Sequence, residues 1–331
     1  MTELANKTPI IFIHYGYSEY MKYTLKAAVR NNPDKDIILL GDRANSHCTQ
    51  YGVVHIPFKK FEYGEELNEF NKSFKLISGE KFEEKTAGEP WTRFNFKKWI
   101  YLYNFVRENK PKSLWTFDTD TILLESLSPL EDHYAQYDYT SYNNNNQLQG
   151  LINNFSVLKD FIHFTNSLFD DKDFIEKQQR DFKQNPDYGF TLMRSFKTFY
   201  EKGMSSTVRL IEPVDDKVFD EVMCAGHGMV TYKKTINGYT PKKLFFHNNG
   251  SIYVKQKDES GGRYFKLWGI NLSWVPLHIF RRVYNQNKKN GSDSDEIHAD
   301  DLTVMDLEPD IQTRLGNKLF VVKKFIRELT S

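Results

Sequence analysis

The run Leu114-Trp115-Thr116-Phe117-Asp118-Thr119-Asp120-Thr121-Ile122-Leu123-Leu124 constrains this chain more than any other segment, because it sets two carboxylates between apolar stretches that read as buried strand. Residues i and i+2 of an extended segment share a face, so Asp118 and Asp120 are expected to point into one pocket. There they can hold a divalent cation, or divide the roles of acid and base between them. Ligands of open α/β sheets bind at the carboxyl ends of the strands, where this pair falls. Two like charges in close, partly dry contact are unfavourable without a counter-cation, which favours a functional pair over a solvated turn.

The flanking pattern alternates strands and helices. Ile10-Ile11-Phe12-Ile13 is a short apolar run ending at His14-Tyr15-Gly16, and residues 19–30 then carry apolar side chains at helical spacing. Asn31-Asn32-Pro33-Asp34 breaks that helix, Ile37-Ile38-Leu39-Leu40 supplies a second buried strand, and Gly41-Asp42 ends it. The unit resembles the opening β-α-β of a nucleotide-binding half-domain. A weaker strand is expected at Val53-Val54-His55-Ile56, followed by a polar and aromatic stretch to Pro90 with no assignable period. Residues 91–106 predict a long aromatic helix that delivers the chain into the Asp118 strand and packs beside it. The asparagine tract at 143–146 reads as a loop, and residues 157–203 read as mostly helical. Strands are expected at 244–247 and 251–254 around an Asn248-Asn249-Gly250 hairpin turn. Residues 285–301 are polar and read as an exposed loop or linker. Beyond them, Leu315, Leu319, Val322, Ile326 and Leu329 fall on one helical face, which either docks on the protein's own core or lies on a membrane surface.

Composition excludes several classes. The net charge of +1 provides no global field toward nucleic acid, and no zinc-finger, recognition-helix or RNA-binding signature is present. The two cysteines, Cys48 and Cys224, form neither a metal-ligand spacing nor a disulfide scaffold, which fits a reducing compartment. The amino terminus carries no apolar signal core and no apolar run reaches the ~18 residues of a membrane span, so a cytoplasmic location is expected. The 26 Phe and 19 Tyr imply a sizeable core or ring-lined clefts.

A hard cation such as Mn²⁺ or Mg²⁺ prefers oxygen ligands and keeps positions open for phosphate oxygens. Bridging a nucleoside diphosphate, it would neutralise charge growing on the leaving phosphate as a glycosyl bond breaks. Sugar transfer from an activated donor follows naturally. The order of an early strand-helix-strand unit, a helix opening on Arg93-Phe94, a hydrophobic strand ending in Asp118-Thr119-Asp120, and then Gly150-Leu151-Ile152-Asn153-Asn154 resembles bacterial and viral glycosyltransferases of the GT-A fold. The likeness runs from about residue 9 to about residue 280. It implies an α/β, GT-A-like nucleotide-binding fold with a mixed, mostly parallel central sheet flanked by helices. The catalytic domain would cover residues 1–284, with a polar loop and helical extension at 285–331. The resemblance also implies that Asp118, Thr119 and Asp120 bind Mn²⁺ or Mg²⁺ and the donor diphosphate, that His14, Tyr15, Gly16 and Asp42 meet base and ribose, and that Arg93 faces the donor. A UDP-sugar donor, a saccharide or glycan acceptor, a hexosyltransferase reaction and peripheral membrane contact through the carboxy-terminal helix complete the expectation.

In one respect the chain departs from that pattern. Related enzymes place a His-Phe-Gln-Gly-like segment near the end of the catalytic domain, whereas this chain reads Gly269-Ile270-Asn271-Leu272-Ser273-Trp274. Asn271 is therefore the candidate third metal ligand, with His247, His278, or water beside two aspartates as alternatives. Gly150, Asn153 and Asn154 either line an acceptor pocket, since amides pair with hydroxyls in both senses, or begin the next helix. Asp187 is either an acceptor-activating base or a helix cap. His227, between two glycines, is either a phosphate contact or a loop residue. Trp91, Trp268 and Trp274 either form a sugar-stacking wall or belong to the core. Two rival functions remain: a haloacid-dehalogenase-type phosphatase with Asp118 as nucleophile and the weak acidic match Asp170-Asp171, and a catalytically silent sugar-nucleotide or glycan-binding protein.

Overall fold

Alternation along the first strands builds two cores at once. In the computed structural model, which describes residue 4 and residues 7–86, 88–142, 145–203, 205–258, 261–289 and 299–308, the chain begins β1 (Ile10–Ile13), α1 (Met21–Asn31), β2 (Ile37–Gly41), β3 (Val54–Pro57), α2 (Glu65–Ser73), α3 (Phe82–Lys85) and α4 (Gly88–Asn109). Ile11, Ile13, Ile38 and Leu40 pack into one hydrophobic cluster, and Ile10, Phe12, Ile37 and Leu39 into another. Each strand thus buries both faces, as parallel strands covered on both sides do.

The middle of the chain adds β4 (Leu114–Phe117), β5 (Thr121–Leu123), α5 (Ser128–Tyr134), β6 (Tyr139–Tyr142), β7 (Gln147–Ile152), α6 (Ser156–Asp170), α7 (Lys172–Gln184), α8 (Leu192–Glu201) and β8 (Thr207–Arg209). The remainder supplies β9 (Lys217–Asp220), β10 (Phe245–His247), β11 (Ile252–Lys255), β12 (Tyr264–Asn271), α9 (Leu277–Asn287) and β13 (Leu302–Val304). The first sheet has the order β3-β2-β1-β4-β7-β6-β8. Strands β3, β2, β1 and β4 run parallel, β7 is antiparallel to both β4 and β6, and β8 is parallel to β6. Residues of α2, α4, α6 and α8 cover one face, while residues of α1 and α5 cover the other. The fold is therefore mixed α/β, with a mostly parallel central sheet flanked by helices. A second sheet, ordered β13-β10-β11-β12-β5 with β9 beside β12, encloses a third cluster with α9.

The expected strand ends at the aspartates, and the apolar residues beyond them form a further strand in a second sheet. β4 ends at Phe117, and the chain turns through Asp118, Thr119 and Asp120, closed by the Thr121 N–H donating to the Asp118 carbonyl at 3.0 Å. Aspartate disfavours continued ladder pairing because its side chain offers the backbone local alternatives to it. Downstream, β5 pairs antiparallel with β12, with Asn271 opposite Thr121. The Asn248-Asn249-Gly250 hairpin forms between β10 and β11 as the sequence predicts, and residues 157–203, expected to be mostly helical, carry three helices. The predicted extension boundary at 284/285 falls within α9, and β13 pairs with β10. The predicted helix over 315–329 lies outside the described residues. No helix among the described residues is long and apolar enough to cross a membrane. Cys48 and Cys224 are buried and free.

Gly150 sits within β7 at φ +97, where a Cβ would lie 2.1 Å from Thr140 Oγ1 and 2.6 Å from Leu210 Cδ1. Close packing and left-handed backbone therefore both require glycine here. Gly150→Ala is expected to lower unfolding stability by about 2–4 kcal/mol, read as an earlier urea midpoint at unchanged slope.

Candidate functional site

The turn that joins the two sheets opens onto a cavity of about 270 Å³. Asp118 and Asp120 both line it, together with residues from α4, β7, α6, the start of α8 and the segment after β12. On α4 the lining residues are Trp91, Thr92, Asn95, Lys98 and Trp99. Their spacing of one, four, seven and eight residues is a single helical stripe.

Each aspartate is held by its own set of donors. Lys98 Nζ donates to Asp118 Oδ1 at 2.9 Å, and Gln149 Nε2 donates to Oδ2 at 2.6 Å. The Asp118 N–H in turn donates to Gln149 Oε1 at 3.3 Å, so the Gln149 amide clasps the residue from both sides. Asn271 Nδ2 donates to Asp120 Oδ1 at 2.9 Å and Ser273 Oγ donates to Oδ2 at 2.6 Å. Burial, and then repulsion from Asp118, pushes the Asp120 carboxyl up to about 6. The pair is short of positive charge, since Lys98 supplies one ammonium against two carboxylates.

Behind the turn, Thr119 Oγ1 and His14 Nδ1 are hydrogen-bonded at 2.7 Å, and burial lowers the His14 imidazole to about 4. The loop after β1 is braced by Asp42, whose Oδ2 accepts from the Gly16 N–H at 2.8 Å while Oδ1 accepts from the Ala44 N–H at 2.9 Å. Asn45 Nδ2 donates to the carbonyls of His14 and Gly16. Tyr15 remains 59% exposed at the tip of this loop, its ring 5.5 Å from that of Phe94.

Several predicted site residues do other work. Arg93 lies off the cavity stripe, donates to Glu89 at 2.8 Å and covers the ring of Phe74, so the basic group that α4 brings to the site is Lys98. Asn153 does not reach the cavity, because its amide donates to the carbonyls of Tyr134 and Tyr137, both at 2.9 Å. Asn154 receives the Ser156 N–H at the start of α6 and donates to Asp138. Gly150 is a packing position, and Trp268 is a core residue 5% exposed beneath Lys217. Trp274 does line the cavity, 55% exposed and stacked on Tyr239 at 5.1 Å. Asp187 is not a lining residue, and it does not cap α8, whose N-cap is Thr191; its turn pairs through backbone with Gly79 and Lys81. Asp171 caps α7 and does not line the cavity. His227 lies 3.8 Å from Glu221.

Asn271, the candidate third ligand, stands beside Asp120. Its carbonyl oxygen accepts the Ser273 N–H at 2.9 Å, which leaves the amide nitrogen facing Asp120. His278 binds the Leu307 carbonyl and His247 sits in the β10–β11 hairpin, neither lining the cavity. Among the described residues no three His, Cys, Asp or Glu side chains converge on one point. The donor set still suits a hard divalent cation. Two carboxylates carry unmatched charge, and each oxygen that already accepts one hydrogen bond retains a further lone pair.

Sequence reasoning missed Lys98, Gln149 and Ser273. The stripe spacing from Trp91 points to Lys98, and the alternation Gln147-x-Gln149 points to two amides on one face of β7. Nothing in the sequence shows that these faces meet.

No protein-family model and no curated protein matches the chain. Among solved structures, it is similar to PaToxG glycosyltransferase at 12% identity and a TM-score of 0.34, over 59% of this chain and 69% of that one. It is similar to mouse xyloside xylosyltransferase 1 at 7% identity and TM-score 0.39, over 61% and 84%. It is also similar to the glycosyltransferase GlyE of Streptococcus pneumoniae at 14% identity and TM-score 0.31, over 62% of this chain but 45% of that one. Likenesses this distant carry no functional conclusion, which has to come from the residues of the chain itself.

Gln149→Ala is expected to weaken ligand binding at the cavity and to cost about 1–3 kcal/mol of stability, because a buried amide that clasps Asp118 is lost. Asn153→Ala should cost about 1–2 kcal/mol by stranding two carbonyls with no change in binding. Thermal melts beside ligand titrations separate the two.

Proposed function

We propose that this protein is a metal-dependent glycosyltransferase that moves a sugar from a nucleotide sugar, a UDP-sugar, to a saccharide or glycan acceptor. The observation that carries the reading is the pairing of Asp118 and Asp120 on one cavity, between two sheets and beside the loop that follows β1. Asp118 and Asp120 would hold Mn²⁺ or Mg²⁺, which when bound supplies Lewis-acid stabilisation of a leaving diphosphate. Lys98 and Gln149 aim the Asp118 carboxylate, and Ser273 and Asn271 aim that of Asp120. The exposed ring of Tyr15 offers a stacking surface for a base, while Asp42 shapes the Gly16 loop through its backbone contacts.

In the transfer, the bond from the sugar C1 to the diphosphate oxygen breaks and its electron pair leaves with the diphosphate. A bond forms between C1 and an acceptor hydroxyl oxygen, and the hydroxyl proton passes to the departing diphosphate or to water. Trp91 and Trp274, 43% and 55% exposed on the cavity rim, present aromatic faces of the kind that stack on pyranose rings.

The test is binding and hydrolysis of a UDP-sugar panel with and without Mn²⁺, on the wild type and on Asp118→Ala and Asp120→Ala. Turnover should require the metal and fall at least ~10²-fold in each variant, with far-ultraviolet circular dichroism unchanged. An unaltered rate in both variants would remove the proposal. Phosphate release from aryl phosphates without any nucleotide-sugar binding would instead make Asp118 a phosphatase nucleophile.

A further inference from the structure

Among the described residues that line the cavity, Lys98 carries the only positive charge, and Asp118 and Asp120 carry the only negative ones. The Lys98 ammonium donates to Asp118 Oδ1 at 2.9 Å, on a carboxylate that a metal would also use. Its side chain is 12% exposed and that of Asp118 33%, so the pair is screened less than one on the open surface. The chain's own residues thus leave one net negative charge in the cavity.

That balance turns over once a divalent cation shares the carboxylate. Three positive charges then face two negative ones, and the metal and the ammonium repel each other in a partly dry space. Asp118 keeps its place without the ammonium, because the Gln149 amide donates to Oδ2 at 2.6 Å and accepts from the Asp118 N–H at 3.3 Å. Lys98 has no comparable alternative. Asp120 is the other carboxylate of the cavity, and it already accepts from Asn271 and Ser273. A displaced ammonium therefore finds its next anion on a ligand. Lysine suits such an exchange, being a compact charge on a flexible stem, whereas an arginine fork would grip one carboxylate with two bonds. The adjacent Lys97 makes the contrast: it donates to Glu62 at 2.9 Å, on an oxygen that Tyr101 also reaches at 3.1 Å, and does not line the cavity.

We propose that Lys98 is an exchangeable counter-charge, which leaves Asp118 as the metal binds and pairs with the diphosphate of the donor, so that metal and nucleotide load together. This inference rests on the transferase reading and states how the same site is filled. The diphosphate of a nucleotide sugar brings two negative charges. With metal, Lys98 and both aspartates present, the cavity returns to one net negative charge, the balance the chain keeps by itself. Metal without diphosphate leaves a positive surplus, and diphosphate without metal leaves a larger negative one. Each alone is held weakly.

The experiment measures Mn²⁺ and UDP binding by isothermal titration, separately and together, on the full chain as wild type, Lys98→Met, Lys98→Gln and Lys97→Gln. In the wild type each ligand should bind on the order of 10²-fold more tightly in the presence of the other. Lys98→Met should tighten Mn²⁺ alone about fivefold, by removing the competing ammonium, and weaken UDP at saturating Mn²⁺ about tenfold, by removing its partner. Those opposite signs separate exchange from a structural role, in which loss of Lys98 loosens Asp118 and weakens both. Lys98→Gln keeps a donor without the charge, so it gives the same two shifts if Lys98→Met fails to fold. Lys97→Gln should move neither constant, and circular dichroism checks the fold of each variant. Mn²⁺ binding weakened by the neutral variants, or UDP affinity unmoved by them, would overturn the inference, while UDP binding that still requires Mn²⁺ keeps the transferase reading. Failure of the wild type to bind UDP with Mn²⁺ would overturn both.

Discussion

The ion pair between Lys98 and Asp118, 2.9 Å long, ties the longest helix of the described chain to the turn where the two sheets meet. Asp118 and Asp120 share a partly dry cavity, where like charges are unfavourable unless countered. Lys98 offsets one of the two charges, and the clasp of Gln149 on both the carboxylate and the N–H of Asp118 fixes where that charge points. The remaining charge falls to Asp120, whose carboxyl is pushed up to about 6 by burial and by its neighbour.

Two sheets are needed to make it. The first carries Asp118 at the end of β4, and β7 alongside contributes Gln149. The second carries β5 away from the turn, and β12 returns beside it with Asn271 and Ser273, while the Leu272 N–H donates to the Asp120 carbonyl at 2.9 Å. A change in the pairing of β5 with β12 would therefore reach the Asp120 carboxylate directly. The cavity's other wall depends on a set of interlocked rings. Phe70, Phe74, Phe96, Phe169 and Phe190 meet at centroid distances of 5.0 to 6.1 Å between α2, α4, α6 and the start of α8. Such pairs add about 0.5–1.5 kcal/mol each beyond area burial, and they hold the helices that frame the cavity.

Local pattern and long-range contact divide the legible from the illegible. Apolar runs bounded by turn residues located β1, β2, β3 and the hairpin strands, because burial and turn chemistry act over a few residues. The same logic placed the end of β4 at the aspartates, but only the pairing of β5 with β12 shows that the chain changes sheets there. Arg93 and Lys98 are both basic residues on one helix, and the stripe facing the cavity includes the second and not the first. Asn153 and Asn154 have the chemistry of a sugar pocket but spend it on backbone carbonyls and the start of α6.

The sequence by itself determined the alternating strands and helices, the two-faced burial of the early strands, and the presence of two closely spaced carboxylates after a buried strand. Those features depend on side-chain periodicity and on residues that are near neighbours along the chain. Tertiary structure decided which donors meet those carboxylates, that Asn271 turns its nitrogen to Asp120, and that a cavity walled in part by Trp99, Phe161, Leu192 and Phe196 opens beside them. The contacts that make these assignments join residues from 20 to 153 positions apart. No local pattern encodes such a meeting, because it exists only once both sheets and the helices over them have packed.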